Sequence, residues 1–131
     1  MKATLSAPKS LITLMEDVAA LEADIVAIAA EGLEAGAEVA LEGMRKRVPV
    51  RKGVLKANLK RGPVKVDGNV VTVDIGLLDD TPEDVARYGN AQEFGSSSMA
   101  AQPYIRPTMA EDKGRITKAL AGPFKERGLS E

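Results

Sequence analysis

From Leu11 onward apolar residues return every three or four positions, at Leu14, Met15, Val18, Leu21, Ile25 and Ile28, and again at Val39, Ala40 and Met44. This three-and-four spacing is that of one face of a helix, and it predicts a helix over 8–47. Ser6 can cap its start, and Pro8 is tolerated in the first turn. Gly32 and Gly36 weaken the middle, each by about 1 kcal/mol relative to Ala, so one long bent helix and two helices in series both fit. Pro49 ends the run, because Val48 before a proline is pushed out of the helical region.

After Lys56 the period changes to two. The segment "VKVDGNVVTVDIGL" alternates, and Asp67-Gly68 supplies the residues that a tight hairpin turn requires, so strands are expected at 57–66 and 69–77. The polar stretch "LDDTPED" connects onward through Pro82 to expected strands at 85–94 and 101–106, which flank the loop "GSSSMA". Pro107 suits the opening of a last helix at 108–121, and Gly122-Pro123 should terminate it. The expectation is a single α+β domain in which a long N-terminal helix packs on a roughly four-stranded antiparallel sheet. Its segments are the long helix at 1–47, the sheet at 54–106, a short C-terminal helix at 107–121 and a tail at 122–131.

Composition narrows the chemistry. The chain of 131 residues has no Cys and no His, which removes disulfides, thiol nucleophiles, the usual neutral-pH base and the commonest metal ligand. Neither a catalytic residue nor a cofactor or metal site is expected. With two Tyr, two Phe and no Trp, the core is built from small apolar pieces, and oligomerisation is a natural source of extra stability. No apolar run reaches the length of a membrane span and no signal-peptide core is present, so the reading is a soluble protein made in a cytoplasm, with no membrane partner.

The net charge of −1 conceals blocks: −6 over 1–42, +9 over 43–66, −6 over 67–95 and +2 over 96–131. The basic block comprises Arg45, Lys46, Arg47, Arg51, Lys52, Lys56, Lys60, Arg61 and Lys65. It meets the acidic surface of a neighbouring subunit, is simply solvated, or touches DNA phosphates. The first reading is preferred, because a head-to-tail assembly needs two complementary surfaces on each subunit. The block also lacks the interleaved aromatics of a single-strand binder.

Three segments then carry a resemblance. "RVPVRKGVLKANL" at 47–59, with Pro49, Gly53 and Leu55, resembles a basic helix end followed by a Val-Pro-x-x-x-Gly-x-Leu turn. "YGNAQEFGS" at 88–96, with Tyr88, Glu93, Phe94 and Gly95, resembles a Tyr-Ala-x-x-x-Glu-Phe-Gly-Thr strand. "AQPYIRPTM" at 101–109, with Pro103, Tyr104, Arg106 and Pro107, resembles the Ala-x-Pro-Phe-Leu-Arg-Pro-Ala lead into a last helix. In this order they resemble the neck and tail-completion family of long-tailed phages typified by gene product ten of the HK-ninety-seven-type phages, over about residues 39–120. Lys52, Asn58, Gly89 and Ser96 depart from the family's usual Thr, Ser, Ala and Thr.

The resemblance implies a structural virion protein of the neck or tail, not an enzyme. It implies a ring of identical subunits around the DNA channel that joins tail to head. Its partners would be further copies of itself, a head-closure or connector protein, a tail-terminator or tail-tube protein, and DNA in the channel. The alternative from the residues alone is a small sequence-independent DNA-binding protein using 45–65.

The remaining candidates have plainer readings. Glu93 lacks the second carboxylate that acid–base chemistry requires, and pairing with Arg106 or with a basic neighbour is expected. Phe94 is expected in the core, with Gly95 permitting the turn that follows. Tyr104 and Ile105 are expected on opposite faces of a strand. Asp79, Asp80, Glu83 and Asp84 lack the ligand order of a calcium loop and read as a solvated acidic connection.

Overall fold

A computed structural model describes residues 2–6, 22–50, 53–67 and 70–128. In chain order the elements are β1 (Lys2–Ser6), α1 (Glu22–Arg47), α2 (Val54–Asn58), β2 (Lys60–Arg61), β3 (Lys65–Asp67), β4 (Val70–Gly76), α3 (Glu83–Phe94), α4 (Ile105–Glu111) and α5 (Lys113–Glu126). The fold is α+β, with a long N-terminal helix, a four-stranded antiparallel sheet and a C-terminal helix.

α1 is one continuous helix through Gly32 and Gly36, roughly 39 Å long at 1.5 Å per residue. The first part of the expected helix, residues 8–21, lies outside the described residues. The buried face of α1 is Ile25, Ile28, Ala29, Leu33, Ala37, Ala40, Leu41 and Met44, the spacing read from the sequence. The helix ends at Arg47, two residues before Pro49, with Val48 N–H bonded to Met44 C=O at 2.9 Å.

β4 is the centre of the sheet. One edge pairs with β1, from Lys2↔Gly76 to Ser6↔Thr72. The other edge pairs with β2 (Lys60↔Gly76, Arg61↔Ile75) and then with β3 (Lys65↔Thr72, Asp67↔Val70). Gly62 N–H still reaches Asp74 C=O at 2.8 Å. Two residues lie between Gly62 and Lys65 while one lies between Asp74 and Thr72, so the chain bulges at Pro63, which has no N–H to offer a ladder. Val71, Val73 and Ile75 are buried beneath α1, while Thr72 and Asp74 alternate onto the other face. On that face Asp74 takes a hydrogen bond from Thr4 Oγ1 at 2.6 Å and lies 3.4 Å from Lys2 Nζ.

Several expected boundaries are corrected. The strand at 57–66 is the end of a short helix followed by the two pieces β2 and β3. The strand at 69–77 is β4, and its partner β3 ends at Asp67, opposite Val70; Gly68 lies outside the described residues. The segment 85–94 is not a strand but the helix α3, and 101–106 is not a strand but loop and the first turn of α4. The fourth strand is instead β1. The sheet segment drawn at 54–106 therefore contracts to 60–76 plus Lys2–Ser6.

Gly122-Pro123 does not end the last helix. α5 runs through Pro123 to Glu126, because Ile116, Leu120 and Phe124 recur at four-residue spacing and are all buried. The burial of Ile116, Leu120 and Phe124 together offsets the hydrogen bond that Pro123 forfeits. α5 lies close along α1: a Cβ on Gly32 would stand 2.4 Å from Leu120 C=O, so the helix-weakening glycine is what lets the two backbones meet. Arg127 fastens the end of α5 to Glu31 at 3.1 Å.

Candidate subunit interface

The aromatic-rich stretch 88–109 folds as helix, tight turn and helix, and Glu93 holds the pieces together. Its side chain is fully buried on α3. Oε1 accepts the N–H groups of Tyr104 at 2.9 Å and Ile105 at 2.8 Å. Oε2 accepts the N–H of Arg106 at 3.1 Å and its Nε at 2.9 Å. A helix N-terminus presents unpaired N–H groups and a partial positive charge, and here a carboxylate from another helix satisfies both. Burial pushes the Glu93 carboxyl up, but the amides of Ile105 and Tyr104 and the Arg106 guanidinium outweigh it and hold the group below its ordinary value of 4.5.

Of the two expected partners for Glu93, Arg106 or a basic neighbour, the pair is made with Arg106, and Glu93 has a second function that the sequence did not reveal, the closing of the N-terminus of α4. Pro107 sits in the first turn of α4, which starts at Ile105, and the single helix expected at 108–121 is divided at Asp112 into α4 and α5. Tyr104 and Ile105 do not face opposite ways: both are buried, because they sit at the start of a helix and not on a strand. The Tyr104 hydroxyl donates to Gly89 C=O at 3.2 Å, and burial together with the Glu93 charge pushes its pKa up to about 12.

Phe94 contradicts its expected place in the core. It is 55% exposed, and the Arg106 guanidinium lies 4.8 Å from its ring centre. It falls about half a turn round the helix from Val85, whose side chain points inward. After it, Gly95 turns the chain at φ 79°, and Ser96 and Met99 pair across a tight turn, with Ser96 N–H to Met99 C=O at 2.8 Å.

Most of the basic block finds partners within the chain. Arg47 makes the densest set, reaching Asp112 at 2.7 Å and Glu111 at 2.9 Å. The hydrogen bond from Arg47 holds the Asp112 carboxyl below the usual range. Arg45 donates to Leu59 C=O at 3.2 Å, Lys46 meets Glu42 at 3.1 Å, Arg61 meets Glu38 at 2.8 Å, Lys60 meets Asp80 and Lys65 meets Asp74 at 3.5 Å. Lys56 is exposed and has no ion-pair partner among the described residues; Arg51 and Lys52 lie outside them. Of the acidic connection, Asp79 turns to Lys2 at 3.2 Å and Glu83 to Arg87 at 3.0 Å. Among the described residues no cluster of acidic side chains is arranged to hold a metal ion.

The first motif builds a cleft. Gly53 takes a left-handed conformation at φ 72° and starts α2, which buries Leu55 and presents Val54, 42% exposed. Between α2 and α3 lies an open cleft of about 360 Å³, lined by Pro49, Gly53, Val54, Leu55, Asp84, Val85 and Tyr88. Residues of two of the three motifs thus share one surface.

The family model described as "HK97-gp10_like: Bacteriophage HK97-gp10, putative tail-component" matches residues 12–95. The chain belongs to this family. No curated protein and no solved structure matches it. The HK97-gp10-like match takes in α1, the β2–β4 part of the sheet and α3, and it reaches Gly95. It therefore includes Glu93 and the cleft, and stops short of Tyr104, Ile105 and Arg106, on which Glu93 depends. Among the described residues no helix is long and apolar enough to cross a membrane.

Proposed function

We propose that this phage tail component is a structural virion protein of the neck or tail end, assembling as a ring that joins tail to head. The family match over residues 12–95 carries the reading. Two features of the surface support it. The outer edge of β1 and the outer edge of β2 and β3 have no strand partner among the described residues, and open edges accept a neighbour's strand. Phe94, Val50 and Val54 are exposed in a chain with few large apolar side chains to spare.

In such a ring one side meets a head-closure or connector protein, and the other meets a tail-terminator or tail-tube protein. The work is mechanical: it needs complementary surfaces and neither a cofactor nor a reacting group. Arg47, Lys60 and Arg61 already hold carboxylates of their own chain, which weighs against a DNA-binding protein built on 45–65. It also shifts the subunit contact from charge blocks toward apolar surface and strand edges.

Electron micrographs of the purified protein, alone and with neck and tail proteins, should show annular particles, and sedimentation should give a discrete oligomer. Only monomers under every condition would overturn the ring. Salt-sensitive DNA affinity without self-association would favour the DNA-binding alternative.

A further inference from the structure

The exposed Phe94 and the cleft between α2 and α3 are a matched pair on one helix. Val85, at the start of α3, lines the cleft, and Phe94 closes the same helix nine residues later. That spacing is roughly 13 Å along the axis and half a turn around it. The ring cannot reach its own cleft, but it can reach that of another copy. A contact between two different patches of the same chain is what a head-to-tail assembly requires.

Charge agrees with shape. Arg106 lies against Phe94 and is itself more than half exposed, its Nε anchored on Glu93. Asp84 lines the cleft, is exposed and has no ion-pair partner among the described residues. An aromatic ring held by a fixed Arg is the kind of group that dominates protein interfaces, because little side-chain freedom remains to be lost on binding. The cleft walls it would meet, Pro49, Val54, Leu55 and Val85, are apolar.

We infer that Phe94 of one subunit inserts into the cleft of Pro49, Val54, Leu55, Val85 and Tyr88 on a second copy of this chain, bringing Arg106 to Asp84. The inference rests on the ring reading and names its joint. It also gives the first and second family motifs a common purpose, one shaping the socket and the other presenting the plug.

The chain has no Cys, so engineered thiols report without background. Phe94→Cys and Val54→Cys proteins, mixed under mild oxidation, should form a mixed disulfide dimer, and each protein alone should form little. Phe94→Ser and Asp84→Lys should each weaken self-association about tenfold or more in sedimentation, with far-UV circular dichroism unchanged because both sites are exposed. If the wild type self-associates but no mixed disulfide forms and both variants associate normally, the joint is wrong while the ring stands. If the wild type is monomeric at all concentrations, this joint is overturned, and the ring is then decided separately by micrographs with neck and tail proteins. If Phe94→Ser abolishes binding only to another tail protein, that protein occupies the contact and the second-copy assignment is overturned.

Discussion

Arg106 and Phe94 form a stack at the protein surface, guanidinium 4.8 Å from ring centre, and the same Arg106 donates through Nε to the buried Glu93 at 2.9 Å. One side chain thus links a buried charge to an exposed aromatic. The stability of the α3–α4 junction and the rigidity of the proposed plug share this connection, and they separate by mutation.

Glu93→Gln should destabilise the fold by about 1.5–3 kcal/mol, the range for hydrogen bonds to a charged group, because the exposed Arg106 left behind stays in water. The amide's NH2 group would face backbone N–H donors where a carboxylate oxygen now accepts. Chemical denaturation measures this, and a change below 1 kcal/mol would mean that the junction does not depend on the charge.

Acid sensitivity should follow from the same group. The folded carboxyl of Glu93 lies below its ordinary value of 4.5, so its contribution is fully present above that pH and is lost as pH falls through the lower folded value. The melting temperature should drop more steeply below pH 4.5 in the wild type than in Glu93→Gln. Parallel curves would remove Glu93 as a source.

Tyr104 works at the other end of the scale. Its folded pKa of about 12 stands above the ordinary 10.0, so its contribution holds below pH 10 and is lost as pH rises through 12. Tyr104→Phe should cost about 1 kcal/mol at neutral pH through the lost bond to Gly89. It should also flatten the alkaline fall in stability, which a pH series of thermal melts will show.

Two glycines should respond with opposite signs. Gly32→Ala places a methyl 2.4 Å from Leu120 C=O and should destabilise by about 1–3 kcal/mol despite alanine's better helix propensity. Gly114 in α5 has open space around it, and Gly114→Ala should stabilise by about 0.4–1 kcal/mol. Equal effects would count against the close α1–α5 approach.

Charge reversal should distinguish structural bases from free ones. Arg47→Glu would set a new carboxylate beside Asp112 and Glu111 and should lower the melting temperature of the monomer. Lys56→Glu, at an exposed site, should leave stability within about 0.5 kcal/mol. If both variants melt like the wild type, the Arg47 contacts do not matter to folding.

The sequence by itself determined the elements whose burial is apolar and local. Ile25, Ile28, Ala40 and Met44 announce α1, Pro49 its end, and Val71, Val73 and Ile75 the central strand, because a repeating apolar face can be read wherever it is continuous. The absence of Cys and His and the three motifs were legible in the same way. α3 was not, since the face it buries is Val85, Gly89, Gln92 and Glu93, and polar residues show no apolar period. Glu93 becomes a tolerable buried residue only when the amides of residues 104–106 arrive to receive its charge, and Phe94 is left outside as a consequence. The partners of the basic block, from Glu38 to Asp112, are likewise brought near only by tertiary packing. A charge can be read from the chain; its counter-charge is chosen by the fold.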